Sequence, residues 1–232
     1  MSGSVRVVDG RPAAARHESS QGRLLLRDAR PGDRAQAGTL LREALTPRLA
    51  DAVFGLGAAG ASSYLERLFA RRGTLWSYDI TTLAELDGEV VGLVSHAPWA
   101  VLAQRRRATL WGYLRAYGPW ALLKLMPRLR ALMRASPAVP PDHWFIPCLA
   151  VLPKHRGNGV AHALLQTVYR HAETHAPACS LYVPTSNATA REFYDRAGYV
   201  ERDGAASESL RRLAGVDGRV RFERTLAGGR PG

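Results

Sequence analysis

Cysteine is nearly absent from this chain: Cys148 and Cys179 are the two among 232 residues. They cannot build a disulfide framework. Neither a CxxC pair nor a Cys/His ligand spacing is present, so no metal site is expected. Both sit in apolar stretches and read as inert buried thiols. Long apolar runs are missing as well. No stretch reaches the roughly 18 residues that a membrane-crossing helix needs, and the first residues lack the apolar core of a secretory signal. A cytoplasmic location is the expectation. Carboxylates are in deficit, with 20 acidic against 32 basic residues and a net charge of +12. That balance favours anionic partners without choosing among anionic cofactors, acidic substrates, lipid surfaces and nucleic acid. What the chain does have is 46% hydrophobic content, enough for one sizeable core with an insertion.

Residues 1–22 are rich in Ser, Gly, Arg and Ala without periodicity and read as a disordered tail. A single domain is expected over 23–228. It opens with a short strand at Leu24, Leu25 and Leu26, after which Asp33 is placed to cap a helix facing inward through Ala37, Leu40, Leu41, Ala44 and Leu45. A second helix is expected over 62–72. Asp87-Gly88 between two strand-like runs predicts a hairpin. Further on come a strand over 144–152, a helix over 159–174 and a strand over 180–183. A helix over 188–197 and strands near Tyr199 and Val220 complete the order. This predicts a mixed α/β fold in which a crossover helix joins parallel strands inside a mixed sheet.

Gly55-Leu56-Gly57-Ala58-Ala59-Gly60 fits the dinucleotide pattern GxGxxG. That pattern needs a strand directly before it and a βαβ unit around it. The preceding residues 50–54 look like a helix end, so a Gly/Ala loop is the preferred reading.

The segment that carries chemistry runs Cys148-Leu149-Ala150-Val151-Leu152-Pro153-Lys154-His155-Arg156-Gly157-Asn158-Gly159-Val160-Ala161. An apolar strand enters a basic, glycine-containing turn that opens into an amphipathic helix. The first turn of a helix has amide N–H groups without intrahelical partners, and its macrodipole favours anions. Glycines at 157 and 159 would let the backbone approach a diphosphate, and Lys154, His155 and Arg156 add charge. The residues thus describe a phosphate cradle, without the Lys-Ser/Thr of a Walker loop.

Arg156-x-x-Gly159-x-Ala161 resembles the acetyl-CoA loop, R/Q-x-x-G-x-G/A, of the GNAT family of N-acetyltransferases. A second block supports the resemblance: Leu181 to Asn187, then Phe193-Tyr194-Asp195-Arg196-Ala197-Gly198-Tyr199. The likeness is weak over about 24–97 and good over 144–226. It implies a GNAT fold, with a central mixed, mostly antiparallel twisted sheet, splayed at the cofactor site and covered by helices on both faces. It also implies acetyl transfer from acetyl-CoA to an amine, by direct attack through a tetrahedral intermediate and without a metal. The residues implied to hold acetyl-CoA are Leu149 and Val151 through their backbones, Arg156, Gly157, Asn158, Gly159, Val160 and Ala161 in the loop, and Asn187. An N–H near Leu149 would stabilise the oxyanion. Tyr194 maps onto the family's catalytic acid. A phenol near pKa 10 is a weaker acid than a thiol near 8.5, so complete transfer is uphill by about 2 kcal/mol and hydrogen bonding to sulfur matters as much. Asn187 also reads as a helix N-cap, and a core tyrosine is the lesser alternative for Tyr194.

The general base stays open. Where many members carry Glu, this chain has Phe145-Ile146-Pro147-Cys148. His96 and His143 qualify by type, and an ordered water would also serve. Pro147 either occupies a bulge or divides two strand segments. The acceptor also stays open: a small-molecule amine is the first expectation, a protein amine a second, and nucleic acid is not expected. A non-catalytic acyl-CoA-binding regulatory domain is the rival reading, and monomer and homodimer are both allowed.

Residues 98–141 form an insertion with eight basic residues and no acidic one. Leu110, Trp111, Leu114 and Tyr117 suit one helix. Leu122, Leu125, Met126, Leu129 and Leu132 suit a second, kinked or restarted at Pro127. A packed helical hairpin with a solvated basic face, a substrate-facing lid and a membrane-surface helix are the three readings it allows.

Overall fold

The computed structural model describes residues 16–19, 22–45 and 54–227. Among these residues eight strands form one sheet in the order β1-β2-β3-β4-β5-β6-β8-β7. In chain order they are β1 (Arg16–Ser19), β2 (Gly22–Asp28), β3 (Thr81–Leu86), β4 (Glu89–Pro98), β5 (Trp144–Val151), β6 (Ala178–Pro184), β7 (Val200–Ala206) and β8 (Gly218–Thr225). The helices are α1 (Arg34–Ala44), α2 (Gly57–Phe69), α3 (Trp99–Arg134), α4 (Val160–Ala172), α5 (Ala188–Arg196) and α6 (Glu208–Ala214). Every neighbouring pair is antiparallel except β5 and β6. This is the mixed α/β, mostly antiparallel sheet that was expected.

Local chemistry accounts for much of this. The β3–β4 turn puts Asp87 at φ 50° and Gly88 at φ 88°, the left-handed pair that a two-residue hairpin requires. Helix α4 buries Leu164, Leu165 and Val168 completely, each contributing roughly 1.5–3 kcal/mol of transfer free energy. They pack on Val91 and Val94 of β4 and on Cys179 and Leu181 of β6. The opposite sheet face is covered by α1 and α2, whose Leu40, Leu41, Leu65 and Phe69 pack with Leu83, Leu93 and Cys148. Gly92 permits close approach of α4: a Cβ there would lie 3.2 Å from both Val160 and Leu164.

The chain departs from expectation in several places. Strand order begins at Arg16, which pairs with Leu25, so part of the segment read as a tail is a sheet edge. The remainder of that segment, 1–15 and 20–21, lies outside the described residues, as do residues 50–53 before the GxGxxG stretch. The glycines at 57 and 60 belong to the first turn of α2, which starts five residues before the expected 62. Asp33 does not cap α1 with its side chain. Its carboxylate instead takes two hydrogen bonds from Arg27, at 2.9 Å each, and one from the Arg30 N–H at 2.7 Å. Strand β8 inserts between β6 and β7, so that β7 and not the last strand forms that edge of the sheet.

The insertion is helical, but its break is not at Pro127. Gly118 adopts φ 80°, ψ 174° and divides α3 into arms of 99–117 and 119–134. The residue before a proline avoids the helical region, and Gly118 precedes Pro119. Pro127 is carried inside the second arm. The first arm is tied down by Arg105, which donates to both Asp79 oxygens at 3.0 and 2.9 Å, and by Tyr113, whose hydroxyl donates to the Phe54 carbonyl. Among the described residues no helix is long and apolar enough to cross a membrane.

Candidate active site

The parallel β5–β6 pairing lasts only three residues, Trp144 to Ile146 against Cys179 to Leu181. Beyond it the strands part. Pro147 stands where they separate, and it has no N–H to give a ladder. Opposite it, the β4–β5 register shifts: Ser95 faces Cys148 while Ala97 faces Phe145. Two residues, Ile146 and Pro147, therefore oppose His96 alone, which is a bulge. Its effect shows in the packing. Ile146 and Cys148, two positions apart, belong on opposite sheet faces, the first with α4 and the second with α1.

Past the bulge, the backbone alternates regularly. Leu152 N–H donates to the Val91 carbonyl, so the polar groups of Leu149 and Val151 point away from β4 into the gap that β6 has vacated. A cavity of about 630 Å³ occupies this gap. Leu149, Val151, Arg156, Gly157, Gly159, Val160, Ala161, Asn187 and Tyr194 all contribute to its wall. Nine of the ten residues singled out from sequence thus meet in one place. Asn158 does not; it faces a separate groove with Leu24 and His162.

The loop reaches its shape through glycine. Gly157 has φ 81° and Gly159 φ 75°, and a Cβ on either would meet nothing within 4 Å. Their requirement in this structure is backbone conformation rather than clearance. Gly159 stands at the N-cap of α4 with no side-chain cap, so the first-turn amides of Val160 and Ala161 remain open to an anion beside the cavity. Of the three basic side chains, Lys154 turns outward to Glu89, at 2.7 and 2.9 Å. His155 and Arg156 line the wall. Arg156 Nε donates to the Val151 carbonyl at 3.1 Å, and Nη2 lies 3.5 Å from Glu43.

Asn187 caps α5: its side-chain oxygen accepts from Ala190 N–H at 3.1 Å. With the oxygen committed, the side-chain NH₂ is the group left for a ligand. Tyr194 is held two helix turns further along. Its carbonyl accepts from Tyr199 N–H, and its ring meets those of Phe193 and Tyr199 edge-on. The residue is 9% exposed. Burial, reinforced by neighbouring Cys148 and Tyr169, raises its pKa well above the usual tyrosine value. The hydroxyl is therefore a proton-bearing donor throughout the physiological range.

The histidine candidates for a base are placed elsewhere. His143 is buried with Nδ1 2.7 Å from the Ser180 hydroxyl, and burial lowers its pKa. His96 accepts from the Trp144 indole N–H at 3.0 Å and packs against His171. Neither lines the cavity. Glu43, the cavity's carboxylate, went unnoticed in the sequence because only the packing of α1 on β5 brings it there. Both thiols are deeply buried, which pushes Cys179 up to about 12 and Cys148 higher still. Among the described residues no group of three or more His, Cys, Asp or Glu could hold a metal ion.

Comparison with known families matches residues 57–199 to the acetyltransferase (GNAT) family. The chain belongs to the GNAT family. Solved structures agree on the fold. One acetyltransferase superposes with a TM-score of 0.64 at 18% identity, covering 87% of this chain and 98% of its own. An N-acetyltransferase from Staphylococcus aureus Mu50 gives 0.66 at 17% identity, covering 85% and 97%. At these identities the likeness is one of fold. Comparison with curated protein sequences finds no match. The GNAT assignment accounts for the parted β5 and β6, and it makes acetyl transfer the general chemistry of this chain.

Proposed function

We propose that this GNAT protein is an N-acetyltransferase that takes its acetyl group from acetyl-CoA and passes it to an amine, most simply that of a small molecule. The observation that carries the reading is the convergence of the Arg156–Ala161 loop, Asn187 and Tyr194 on the cavity beside the free edge of β5. The fit to coenzyme A is chemical. Open amides at the α4 N-terminus and the Arg156 guanidinium suit a diphosphate. The outward N–H and C=O groups of Leu149 and the N–H of Val151 suit the amides of a pantetheine arm, and so does the free NH₂ of Asn187.

In this reading acetyl-CoA supplies the activated thioester carbonyl. The Leu149 N–H, turned into the gap, donates to the oxygen that becomes negative as an amine nitrogen attacks. The Tyr194 hydroxyl donates to sulfur as the C–S bond breaks. Its raised pKa makes the hydrogen bond, rather than complete proton loss, its contribution. Glu43 lies beside Arg156, at the end proposed for the diphosphate rather than the thioester, so the amine enters as the free base or loses its proton to water.

A second reading, an acyl-CoA-binding regulatory domain without turnover, is favoured by one feature: the cavity's carboxylate lies at the diphosphate end. Release of free thiol from acetyl-CoA across a panel of small amines and peptide amines, with the full chain and with Tyr194→Phe, separates the two. Amine-dependent thiol release that drops in Tyr194→Phe supports the transferase. Tight acetyl-CoA binding without transfer to any amine supports the regulator.

A further inference from the structure

The described residues leave six large apolar side chains well exposed, and four of them, Trp111, Trp120, Leu123 and Met133, belong to α3. A fifth, Leu213, lies beside it on α6. The second arm has two distinct faces. Leu122, Leu125, Leu129 and Leu132 pack into the core shared with α1 and α2. Trp120, Leu123, Lys124, Pro127, Arg130 and Arg134 recur at helical spacing and are all exposed, Trp120 at 76%. An indole, a leucine and three cations therefore share one unpartnered surface. Next to it Arg130 and Arg134 meet Ser209, Arg212 and Leu213 in an open cleft of about 500 Å³. Among the described residues neither Arg130 nor Arg134 forms an ion pair.

We propose that this face of α3, together with the α6 edge, docks on an anionic lipid bilayer surface. Tryptophan is suited to the headgroup level, aliphatic side chains gain by entering the acyl boundary, and arginines beside them pair with lipid phosphates. Charge argues against a second copy of this chain as the occupant. A two-fold contact would press this patch on its own copy and crowd Lys124, Arg130 and Arg134 with the same cations; residues 98–141 contain no carboxylate to neutralise them, and Glu208 of α6 is already paired with Arg211 and Arg212. Nucleic acid would satisfy the cations but would leave Leu123 and Leu213 no apolar surface to enter. The docking is peripheral, since no described helix could cross a bilayer.

The test is sedimentation of the full chain with vesicles of phosphatidylcholine, alone or with about one-third phosphatidylglycerol. The wild type pellets with the anionic vesicles and stays in solution with the neutral ones. Trp120→Ser combined with Leu123→Ser, and separately Arg130→Gln combined with Arg134→Gln, each weaken partitioning about tenfold. Both variants alter exposed positions, so their thermal melting stays at the wild-type temperature and fold loss does not confuse the result. Failure of the wild type to pellet with anionic vesicles overturns the proposal. So does unchanged partitioning of the Trp120→Ser, Leu123→Ser variant, which would mean unspecific charge attraction. Tighter binding to a DNA or RNA duplex than to vesicles in the same salt, or a dimer that Trp120→Ser dissolves, assigns the face to another occupant and overturns it equally.

Discussion

Glu43, at the end of α1, places Oε2 3.5 Å from Nη2 of Arg156, across 113 positions of sequence. An acid thus stands beside the cation proposed to meet a diphosphate, and it occupies Arg156 when no phosphate does. Both side chains are substantially exposed, at 59% for Arg156 and 36% for Glu43, so the pair itself is worth less than about 1 kcal/mol. Its larger effect is on the anion that replaces it.

Glu43→Gln removes this competing charge and the repulsion between Glu43 and a phosphate. Coenzyme A is expected to bind about two- to fivefold more tightly to the variant, with the gain shrinking as salt rises. Isothermal titration at low and high ionic strength checks it. Weaker binding by Glu43→Gln would place the carboxylate among the groups that hold the ligand. Arg156→Ala goes the other way, losing roughly tenfold or more through a charge-assisted hydrogen bond.

Tyr194→Phe keeps the ring contacts with Phe193 and Tyr199 and deletes only the hydroxyl. Turnover should fall by about ten- to a thousandfold while the KM for acetyl-CoA changes little, the pattern of an interaction made in the transition state. The pH profile adds a signed check. Tyr194 acts while protonated and burial raises its pKa, so its ionisation cannot produce a falling limb below pH 10. The acceptor amine must be neutral, so the rate climbs with pH toward the amine's own pKa. A descending limb below pH 9 that vanishes in Tyr194→Phe would contradict this account.

The parts of the site that could be read from sequence are the contiguous ones. Residues 156–161 and 187–194 each set their own geometry, through glycines with positive φ and through an Asn cap, and these need no knowledge of the rest of the chain. The Asp87-Gly88 hairpin and the stripe of α4 are local in the same sense. Glu43 is not, because its position depends on how α1 lies against β5. The insertion shows a finer limit. Both Gly118-Pro119 and Pro127 are helix breakers by rule, and only the first breaks α3. The carbonyl one turn before Pro127 belongs to exposed Leu123, where water can satisfy it, so the proline is tolerated. The place of β8 between β6 and β7 is a property of the assembled sheet and had no local sign.

Gly157 and Gly159 permit a prediction free of steric ambiguity. A Cβ at either position meets nothing, so Ala substitution is penalised only by the left-handed backbone, at about 1 kcal/mol of stability each. Asn tolerates that region better than Ala. Urea unfolding should therefore rank Gly above Asn above Ala at both sites. Coenzyme A affinity should follow the same order, because a relaxed loop would turn the first-turn amides of α4 away. Equal stability of the Ala and Asn variants would show that the loop changes its backbone at no cost.

Asp79 and Arg105 fasten the first arm of α3 to the turn before β3, through two hydrogen bonds at 3.0 and 2.9 Å between mostly buried side chains. Burial alone would raise the Asp79 pKa, but the hydrogen bonds from Arg105 and Ser77 outweigh it and lower the value. A carboxylate with a depressed folded pKa stabilises the fold fully above its unfolded pKa, near 4, and loses that contribution as pH falls through the lower folded value. Asp79→Asn leaves Arg105 with an uncompensated charge and should cost about 3 kcal/mol at pH 7. The difference from wild type should be constant from pH 5 to 8 and should narrow steadily below pH 4. Chemical denaturation across that range measures it, and limited proteolysis at pH 7 should show the first arm of α3 cut faster in the variant. A stability gap that widens below pH 4 would mean that Asp79 is neutral in the folded protein and that Arg105 is held by other groups.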